Sequence, residues 1–263
     1  MTLKILTWNI AWGYGMGSDG TAYRPLPASH FESSLGAMSE MIHNLDVDVV
    51  LLQEVDFHSS RSHDEPQLDI LSRKSGLLYR AEELSWKHPY VPFPGILPST
   101  HFGRIRSGGG ILSRHPIKSI ASIHLPKPEE NLKLYNWFYL NRYLQIVEIE
   151  GIRFCNLHLE AFSKSNRDLH LVKLASMLER YKVDVAGGDF NGVIRLPAEA
   201  QSHYDLYPSP GPTFPSQEPK ETLDGFVVRK NRFQSFKVTT LDTGTVSDHF
   251  AVLGDIISLP GTL

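Results

Sequence analysis

Residues 183–191 read Val-Asp-Val-Ala-Gly-Gly-Asp-Phe-Asn, a short apolar run followed by two glycines, an acid and an amide. The apolar run predicts a buried strand, and the glycines mark a bend or a close approach of the backbone. Asp189 and Asn191 stand two positions apart, so an extended backbone would present both side chains on one side. Such a pair at a strand end suits a hard cation or a phosphate oxygen, although the same residues also form good turns.

Further predicted strands and helices follow along the whole chain. Continuous or alternating apolar residues predict strands, whereas apolar residues spaced three and four apart predict amphipathic helices. Strands are expected at residues 3–8, 47–52, 77–84, 111–114, 117–125, 139–148, 152–159, 222–228, 233–240 and 250–257. Helices are expected at residues 29–44, 66–75 and 166–181. Because the sequence has no internal repeat and no clear linker, we expect residues 1–263 to form a single domain.

Three segments interrupt this pattern. Residues 86–110 hold four prolines and several glycines. A structureless loop of about 20 residues in a compact domain usually has a function or is mobile, so we interpret the segment as a substrate-side loop, with a plain surface excursion as the alternative. Residues 197–221 are also predicted as loop. The aromatic residues 135–140 are expected in the core of a hairpin, but would suit a lipid substrate if they were exposed.

Polar residues recur at the predicted ends of core strands. They are Asn9, Glu54, His158, Asp189, Asn191, Asp224, Asp248 and His249. Each alone could close a turn, cap an element or form a surface pair. A buried acid, however, is costly unless it is paired or bound to a metal. Several acids that converge on one sheet edge therefore predict a positively charged partner.

The residue types in this set are those of metal-assisted phosphate ester hydrolysis. Carboxylates such as Glu54 suit Mg²⁺, which takes one or two protein carboxylates together with water and substrate phosphate. A histidine can act as a base at neutral pH, or as a donor to a phosphate oxygen when it is charged. An aspartate behind that histidine fixes its tautomer and raises its basicity.

The composition limits the class of protein. Of the 263 residues 41% are hydrophobic and 21% are charged, which allows a sizeable core. The single cysteine, Cys155, excludes an internal disulfide and is expected to be a buried thiol. No signal-peptide pattern and no apolar run of membrane-span length are visible, so we expect a cytoplasmic protein without a transmembrane segment. The net charge of −3 does not indicate a protein that binds nucleic acid through a basic surface overall, but it is compatible with a local basic patch.

Seven short motifs resemble those of the endonuclease/exonuclease/phosphatase superfamily, which includes pancreatic deoxyribonuclease, apurinic/apyrimidinic endonucleases, neutral sphingomyelinases and tyrosyl-DNA phosphodiesterase. They occur in the family's order between residues 3 and 257: Thr7-Trp8-Asn9, Gln53-Glu54-Val55, Ile111-Leu112-Ser113-Arg114, Asn156-Leu157-His158-Leu159, Gly188-Asp189-Phe190-Asn191, Leu223-Asp224 and Ser247-Asp248-His249. The resemblance implies an α/β fold, a four-layer α/β sandwich in which two mixed β-sheets pack face to face with helices outside.

The resemblance also implies a metal site and substrate contacts. Glu54 resembles the principal Mg²⁺ ligand, with Asn9 beside it and Asp248 as a further ligand or metal-shell acid. Mn²⁺ is a possible substitute. Arg114 resembles an arginine that lies near the substrate in nucleases of the family. Arg104 and Arg106, in the segment 86–110, are predicted to bind substrate as well.

Catalytic roles follow from the same resemblance. Asp189 resembles the acid that positions the attacking water or acts as a general acid, and Asn191 would hold a phosphate oxygen or the metal shell. His249 resembles the histidine that touches the scissile phosphate, and Asp224 its orienting partner. His158 resembles the second histidine on the phosphate side.

These observations predict a Mg²⁺-dependent phosphoesterase that hydrolyses a phosphodiester by in-line attack of water. A nuclease acting on DNA or RNA is the first expectation. The alternatives are the same chemistry on a phospholipid, as in a sphingomyelinase, or on a small phosphate ester, and an inactive binding module on this fold. The predicted partner is a phosphate ester substrate, with nucleic acid as one form of it. No obligate protein partner is evident from the sequence.

Overall fold

Alternation of side chains along the first strand sets up the layers of the fold. In the computed structural model, which describes residues 2–16 and 25–258, strand β1 covers Thr2–Asn9. Ile5 packs in a core between two sheets, whereas Leu6 and Trp8 pack in a second core beneath helices. Successive side chains of a strand point to opposite faces, so a strand that is apolar on both sides separates two cores.

The first sheet contains β1 and five further strands. These are β2 (Val49–Asp56), β3 (Tyr79–Val91), β4 (Gly103–Ser113), β11 (Phe233–Leu241) and β12 (Ala251–Ser258). Their order across the sheet is β11-β12-β1-β2-β4-β3. β1 and β2 run parallel and the other neighbours run antiparallel, so the sheet is mixed.

The second sheet repeats this design. Its strands are β5 (Lys118–His124), β6 (Tyr143–Ile149), β7 (Ile152–His158), β8 (Val185–Asp189), β9 (Tyr204–Pro208) and β10 (Asp224–Arg229). Their order is β5-β6-β7-β8-β10-β9, with β7 and β8 as the parallel pair. Buried residues of both sheets, such as Leu51 and Phe154, share one core between them.

Helices cover the outer faces of the two sheets. α1 (Ala28–Leu45) and α2 (Gln67–Ser75) pack on the first sheet, and α4 (Lys164–Tyr181) packs on the second. α3 (Lys133–Phe138) and α5 (Ala198–Gln201) are short. This arrangement confirms the predicted sandwich of two mixed sheets with helices outside. Among the described helices, none combines the length and the apolarity that crossing a bilayer requires. The single domain over residues 1–263 and the cytoplasmic location stay predictions.

Three predicted segments differ from the structure. The loop predicted at residues 86–110 is wrong, because β3 continues to Val91 and β4 begins at Gly103. Cross-strand pairs such as Trp86 with Ser107 override the local proline and glycine content, and an edge strand with irregular register tolerates Pro89. Residues 197–221 contain α5 and β9. Residues 135–140 are not the core of a hairpin, since most of them lie in α3, where no residue is buried.

The ends of the strands bring the predicted site residues to one edge of the sandwich. The C-terminal ends of the parallel strands β1, β2, β7 and β8 carry Asn9, Glu54, His158 and Asp189. β10 runs antiparallel to β8, so it begins at the same edge with Asp224 opposite Asp189. The turn before β12 returns Asp248 and His249 to this edge, since β12 is antiparallel to β1.

Candidate active site

Glycines and one strained residue shape the backbone at the site edge. Gly188 has a φ of 157°, and a Cβ there would collide with the carbonyl oxygen of Leu157 on the neighbouring strand. A Cβ on Gly187 would meet the ring of Phe226 at 2.6 Å. Glu54 adopts a left-handed φ of 55° where the pairing of β2 with β4 shifts in register. Such strain in a side chain other than glycine is concentrated at functional positions.

Asp189 stands at the centre of the site. Its Oδ2 accepts a hydrogen bond from Asn9 Nδ2 at 3.0 Å, and its Oδ1 accepts one from the backbone N–H of Asn191 at 2.8 Å. The side-chain amide of Asn191 donates to the carbonyl oxygen of Leu159 at 2.9 Å, which holds the loop in place. Burial raises the pKa of Asp189 to about 6, although the nearby His249 lowers it. The carboxylate is therefore fixed by neutral donors and is more basic than an exposed aspartate.

His249 and Asp224 form a buried hydrogen-bonded pair. His249 Nδ1 lies 2.8 Å from Asp224 Oδ2, and His249 Nε2 lies 3.8 Å from Asp189 Oδ2. Burial lowers the pKa of His249, but the two carboxylates outweigh it and hold that pKa well above its usual range. The imidazole is therefore a cation whose Nε2–H faces the centre of the site. Trp8 Nε1 donates to the carbonyl oxygen of His249 at 3.0 Å and fixes its backbone.

Glu54 is an acid without a matching donor. In the part of the chain that the structure describes, no group donates a hydrogen bond to its carboxylate, and His158 Nε2 lies 3.8 Å away. Burial and the carboxylate of Asp248 raise the pKa of Glu54 to about 8, with Arg142 and His249 opposing them. Burial also raises the pKa of Asp248. Half-buried Glu54 and buried Asp248 both resist ionisation, so a cation would stabilise their charged forms.

The donor set around these acids fits a divalent metal. Glu54 and Asp248 supply carboxylate oxygens, the ligands that hard cations prefer. Asp224 Oδ1 is buried and has no hydrogen-bond partner among the described residues. Asp189, Asp224 and His249 place one ligand atom each within 4.8 Å of the others. His249 Nδ1 is already bound to Asp224, so we interpret these three as a hydrogen-bonded group and the Glu54–Asp248 side as the oxygen-rich one.

Asn9 joins the two parts of the site. Its Nδ2 donates to Asp189 and its Oδ1 accepts from the backbone N–H of Ala11 at 3.0 Å. Ser247 Oγ donates to the carbonyl oxygen of Asn9 at 2.6 Å, which links the strand end to the Asp248 turn. Both polar atoms of the Asn9 amide are therefore engaged by the chain itself.

The sequence prediction missed Arg142, a buried arginine beside His158. Arg142 Nη1 contacts His158 Nε2, and the surrounding Tyr139, Glu160 and Glu54 keep the pKa of Arg142 above its usual value in spite of burial. Burial and Arg142 lower the pKa of His158 well below its usual range, so this histidine is neutral. The hairpin register carried the signal, since Tyr143 pairs with His158 and the arginine precedes Tyr143.

The three predicted substrate-binding arginines lie at different ends of β4: Arg114 follows its C-terminal end, and Arg104 and Arg106 stand at its beginning, on the catalytic side. Arg114 follows β4, whose C-terminal end pairs with the beginning of β2, so it stands at the opposite end of the sandwich. There it binds Asp46 and Asp48, which corrects the expectation that it lies near the substrate. Arg104 is exposed and pairs with Asp64 at 2.6 Å. Arg106 is half-buried on β4, opposite Lys87.

Comparison with solved structures agrees with this geometry. An endonuclease/exonuclease/phosphatase from Beutenbergia cavernae is 20% identical, with a TM-score of 0.63 over 98% of this chain and 72% of that chain. A humanised TDP2 from D. rerio is 14% identical, with a TM-score of 0.59 over 98% and 99%. A mannosyl-6-phosphatase from Bacteroides thetaiotaomicron is 16% identical, with a TM-score of 0.60 over 97% and 99%. These likenesses establish the shared fold.

Comparison by sequence is narrower. Curated proteins gave no match to this chain. The family model described as "Endonuclease/Exonuclease/phosphatase family" matches residues 6–249, which span the site from the first strand to His249. The chain therefore belongs to the endonuclease/exonuclease/phosphatase family and is an enzyme that hydrolyses phosphoesters.

Proposed function

We propose that this enzyme is a Mg²⁺-dependent phosphodiesterase in which water attacks the phosphorus in line with the leaving group. The observation that carries this proposal is that no described residue donates a hydrogen bond to the Glu54 carboxylate, although it lies near Asp248. Burial and Asp248 raise the pKa of Glu54 to about 8. Glu54 is half-buried without a donor, and buried Asp248 accepts only long contacts among the described residues, such as Ser247 Oγ at 3.5 Å, so their ionised forms gain stability when a cation binds. Glu54 and Asp248 would hold Mg²⁺, with Mn²⁺ as a substitute. The bound ion stabilises negative charge that develops on the phosphate.

The remaining residues divide the work of proton handling and positioning. Asp189, with a pKa of about 6 and two fixed hydrogen bonds, accepts a proton from the attacking water. His249 donates from Nε2 to a phosphate oxygen, and Asp224 accepts from Nδ1, orienting the ring and stabilising its positive charge. Neutral His158 accepts at Nε2 from the Arg142 guanidinium, so this histidine would position the arginine on the phosphate side.

The substrate lies within a narrow chemical class. A phosphodiester of DNA or RNA is the first candidate, and a phospholipid or a small phosphate ester is the second. A catalytically inactive binding module is disfavoured, because a module without catalysis has no need to retain the buried acids Asp189 and Asp248 together with half-buried Glu54.

A substrate panel tests the proposal. Single- and double-stranded DNA, RNA, 5′-tyrosyl DNA, sphingomyelin and inositol phosphates would be incubated with the protein in Mg²⁺, Mn²⁺ or EDTA. We expect hydrolysis of at least one substrate class with either metal and none in EDTA. Hydrolysis that continues undiminished in EDTA would contradict the metal requirement. Failure on every substrate, together with no rise in Tm on adding Mg²⁺, would contradict the proposal as a whole.

A further inference from the structure

Several exposed apolar side chains lie at the catalytic end of the sandwich. They come from three separate segments: Phe93, Ile96 and Leu97 after β3, Leu134 and Trp137 on α3, and Phe162 after β7. We call these six residues the apolar rim. Ile96 is 97% exposed and Phe162 is 82% exposed. Contiguous exposed apolar surface on a soluble protein marks an interaction site, unlike single scattered residues.

Strand directions place each segment beside the site. The loop after β3 lies at the edge where β4 begins, beyond the pairing of Ser107 with Asp56. α3 leads into β6, whose first residue, Tyr143, pairs with His158. Phe162 follows the same His158 along the chain by four positions. The rim therefore borders the mouth of the catalytic site.

α3 is held by polar contacts that leave its apolar side chains outside. Lys127 Nζ donates to the carbonyl oxygens of Asn136 and Tyr139 at 2.6 and 2.5 Å. Trp86 Nε1 donates to the carbonyl oxygen of Phe138 at 2.9 Å. An amphipathic helix of a soluble domain normally turns its apolar face inward. This helix is fixed through its backbone oxygens, so its outward apolar side chains are a built feature of the surface.

The segments of the rim connect to one another and to the site. The ring of Trp137 lies 4.6 Å from that of His88 near the end of β3. Tyr139, at the end of α3, donates to Glu160 Oε1 at 2.7 Å, and the backbone N–H of Phe162 donates to the same oxygen at 3.0 Å. Glu160 also faces Arg142, which contacts His158. The polar contacts of Glu160 and Arg142 thus connect the rim to His158.

We propose that the apolar rim docks this enzyme on the surface of a phospholipid bilayer, so that the site receives phosphoesters presented at that surface. Half of the rim is aliphatic (Ile96, Leu97 and Leu134) and includes the almost fully exposed Ile96, which matches hydrocarbon and gives nucleic-acid bases nothing to stack on, whereas its aromatic half suits the bilayer interface. An exposed tryptophan beside the aliphatic side chains suits the boundary between headgroup and acyl chain. Insertion of the rim into the bilayer accounts for its exposure in the free protein.

Charge around the mouth agrees with this occupant. Tracking a nucleic-acid backbone needs free basic residues. Arg104 pairs with Asp64, and Lys164 and Arg195 both pair with Asp168. Exposed Lys133 begins α3 and can reach a phosphate headgroup while its stem lies along the apolar surface. The identity of the substrate rests on the proposed function, whereas docking itself requires no turnover.

The tryptophans of the chain supply a direct probe of docking. Trp8, Trp12 and Trp86 are buried, and Trp137 is 62% exposed. Phosphatidylcholine vesicles, with and without phosphatidylserine, would be titrated into the full chain in EDTA. We expect a blue shift of the tryptophan emission, quenching by lipids brominated on the acyl chains, and co-sedimentation that survives about 0.5 M salt, where charge contacts are screened.

Matched variants separate docking from folding and catalysis. Leu134→Ser should weaken vesicle binding about tenfold, the amount expected for losing one buried leucine side chain. Leu78→Ser is the control, since Leu78 is equally exposed (68% against 69%) and lies at the opposite end of the sandwich. Trp137→Phe should abolish the fluorescence change and keep most of the co-sedimentation. All three variants should keep the wild-type Tm and wild-type hydrolysis of soluble bis(p-nitrophenyl) phosphate.

Each outcome decides the proposal. Vesicle binding that Leu134→Ser weakens and Leu78→Ser does not supports it. No vesicle binding, or equal loss in both variants, overturns it. Quenching of Trp137 by a single-stranded oligonucleotide but not by brominated lipid also overturns it, because the rim would then be a platform for bases. Docking without hydrolysis of any phosphoester would leave this inference intact and contradict the proposed function.

Discussion

Two acids on strand β2 are two residues apart and have opposite surroundings. Asp56 is fully buried and receives four hydrogen bonds: two from Arg61, one from Ser59 and one from Ser62, all between 2.8 and 3.0 Å. Glu54 is also nearly buried, but the described residues donate nothing to it, and its pKa rises to about 8. The same strand therefore carries one acid that the chain satisfies and one that it does not.

The difference is the one we expect between a structural acid and an acid that, as proposed, binds a metal. The Arg61 guanidinium that pairs with Asp56 also lies over the ring of Trp12 at 3.8 Å, so this ion pair is part of the packing. Glu54 lies near the carboxylates of Asp248 and Asp189, and its own backbone has a left-handed φ of 55°. An acid whose surroundings destabilise the folded protein is retained where a bound ligand, such as a cation, stabilises its charge. The comparison predicts opposite consequences for removing the two charges.

Glu54→Gln and Asp56→Asn should have opposite effects: the first should lower activity and keep stability, and the second should lower stability. Glu54→Gln should lower kcat/KM by at least about 10⁴-fold, because metal stabilisation of the transition state contributes several kcal/mol. Its Tm in EDTA at neutral pH should equal or exceed that of the wild type, since glutamine is neutral in both states, whereas the raised pKa of Glu54 means that it must take up a proton on folding. Asp56→Asn should instead cost about 3 kcal/mol of unfolding free energy by leaving Arg61 unpaired in the interior.

Thermal unfolding with and without Mg²⁺ checks both halves of this prediction. Adding Mg²⁺ should raise the Tm of the wild type and of Asp56→Asn, whereas it should not raise the Tm of Glu54→Gln. A Glu54→Gln enzyme with wild-type activity would remove Glu54 from the metal site. A fully stable Asp56→Asn protein would show that the buried ion pair is not structural.

The histidine pair is the next test, with a smaller expected effect. His249→Ala should lower kcat about 10³-fold, the usual contribution of a positioned acid or base. Asp224→Asn should lower kcat about 10²-fold, because the amide cannot stabilise the cationic ring or enforce its tautomer. A pH–rate profile of Asp224→Asn should show the loss of the protonated histidine at lower pH than in the wild type. Unchanged activity of Asp224→Asn would disprove the orienting role.

Strand-end polarity made Glu54 predictable, because an acid that directly follows an apolar run stands out in a sequence. The structural role of Asp56 could not be predicted from the sequence, since its partner Arg61 lies in a turn whose conformation no local pattern reveals. The family motifs supplied the layers of the fold and the catalytic set. Arg114 shows their limit, because a motif fixes a residue's position on a strand but not which end of the sheet that strand presents.

Tertiary pairing explains the other failures. β3 and β4 extend through prolines and glycines because each strand satisfies the backbone of the other, which no local window contains. The aromatic residues 135–140 have the composition of a core, and only the anchoring of α3 by Lys127 and Trp86 shows that Tyr135 and Trp137 face outward. Arg142 needed the hairpin register as well as the sequence.

A second contrast, between two buried histidines, gives the smallest predicted effect. His170 on α4 accepts a hydrogen bond from the backbone N–H of Glu160 at Nδ1 and donates from Nε2 to the carbonyl oxygen of Pro126 at 2.8 Å. It is therefore satisfied as a neutral ring, and burial lowers its pKa, whereas the carboxylates beside His249 raise the pKa of that ring. We therefore expect His170 to be structural and His249 to have the proposed catalytic role, in parallel with Asp56 and Glu54.

The sign of the pH dependence follows from the lowered pKa of His170. Below its unfolded pKa of about 6.5 the unfolded chain takes up a proton that the folded protein does not, so His170 loses stabilising effect as the pH falls. The difference in unfolding free energy between the wild type and His170→Gln, measured by denaturant titration in EDTA, should shrink from pH 8 to pH 5. Subtracting the variant cancels the other titrating groups, provided that their surroundings are unchanged. A difference that stayed constant or grew as the pH fell would show that His170 is protonated in the folded state, and its resemblance to Asp56 as a satisfied structural group would fail.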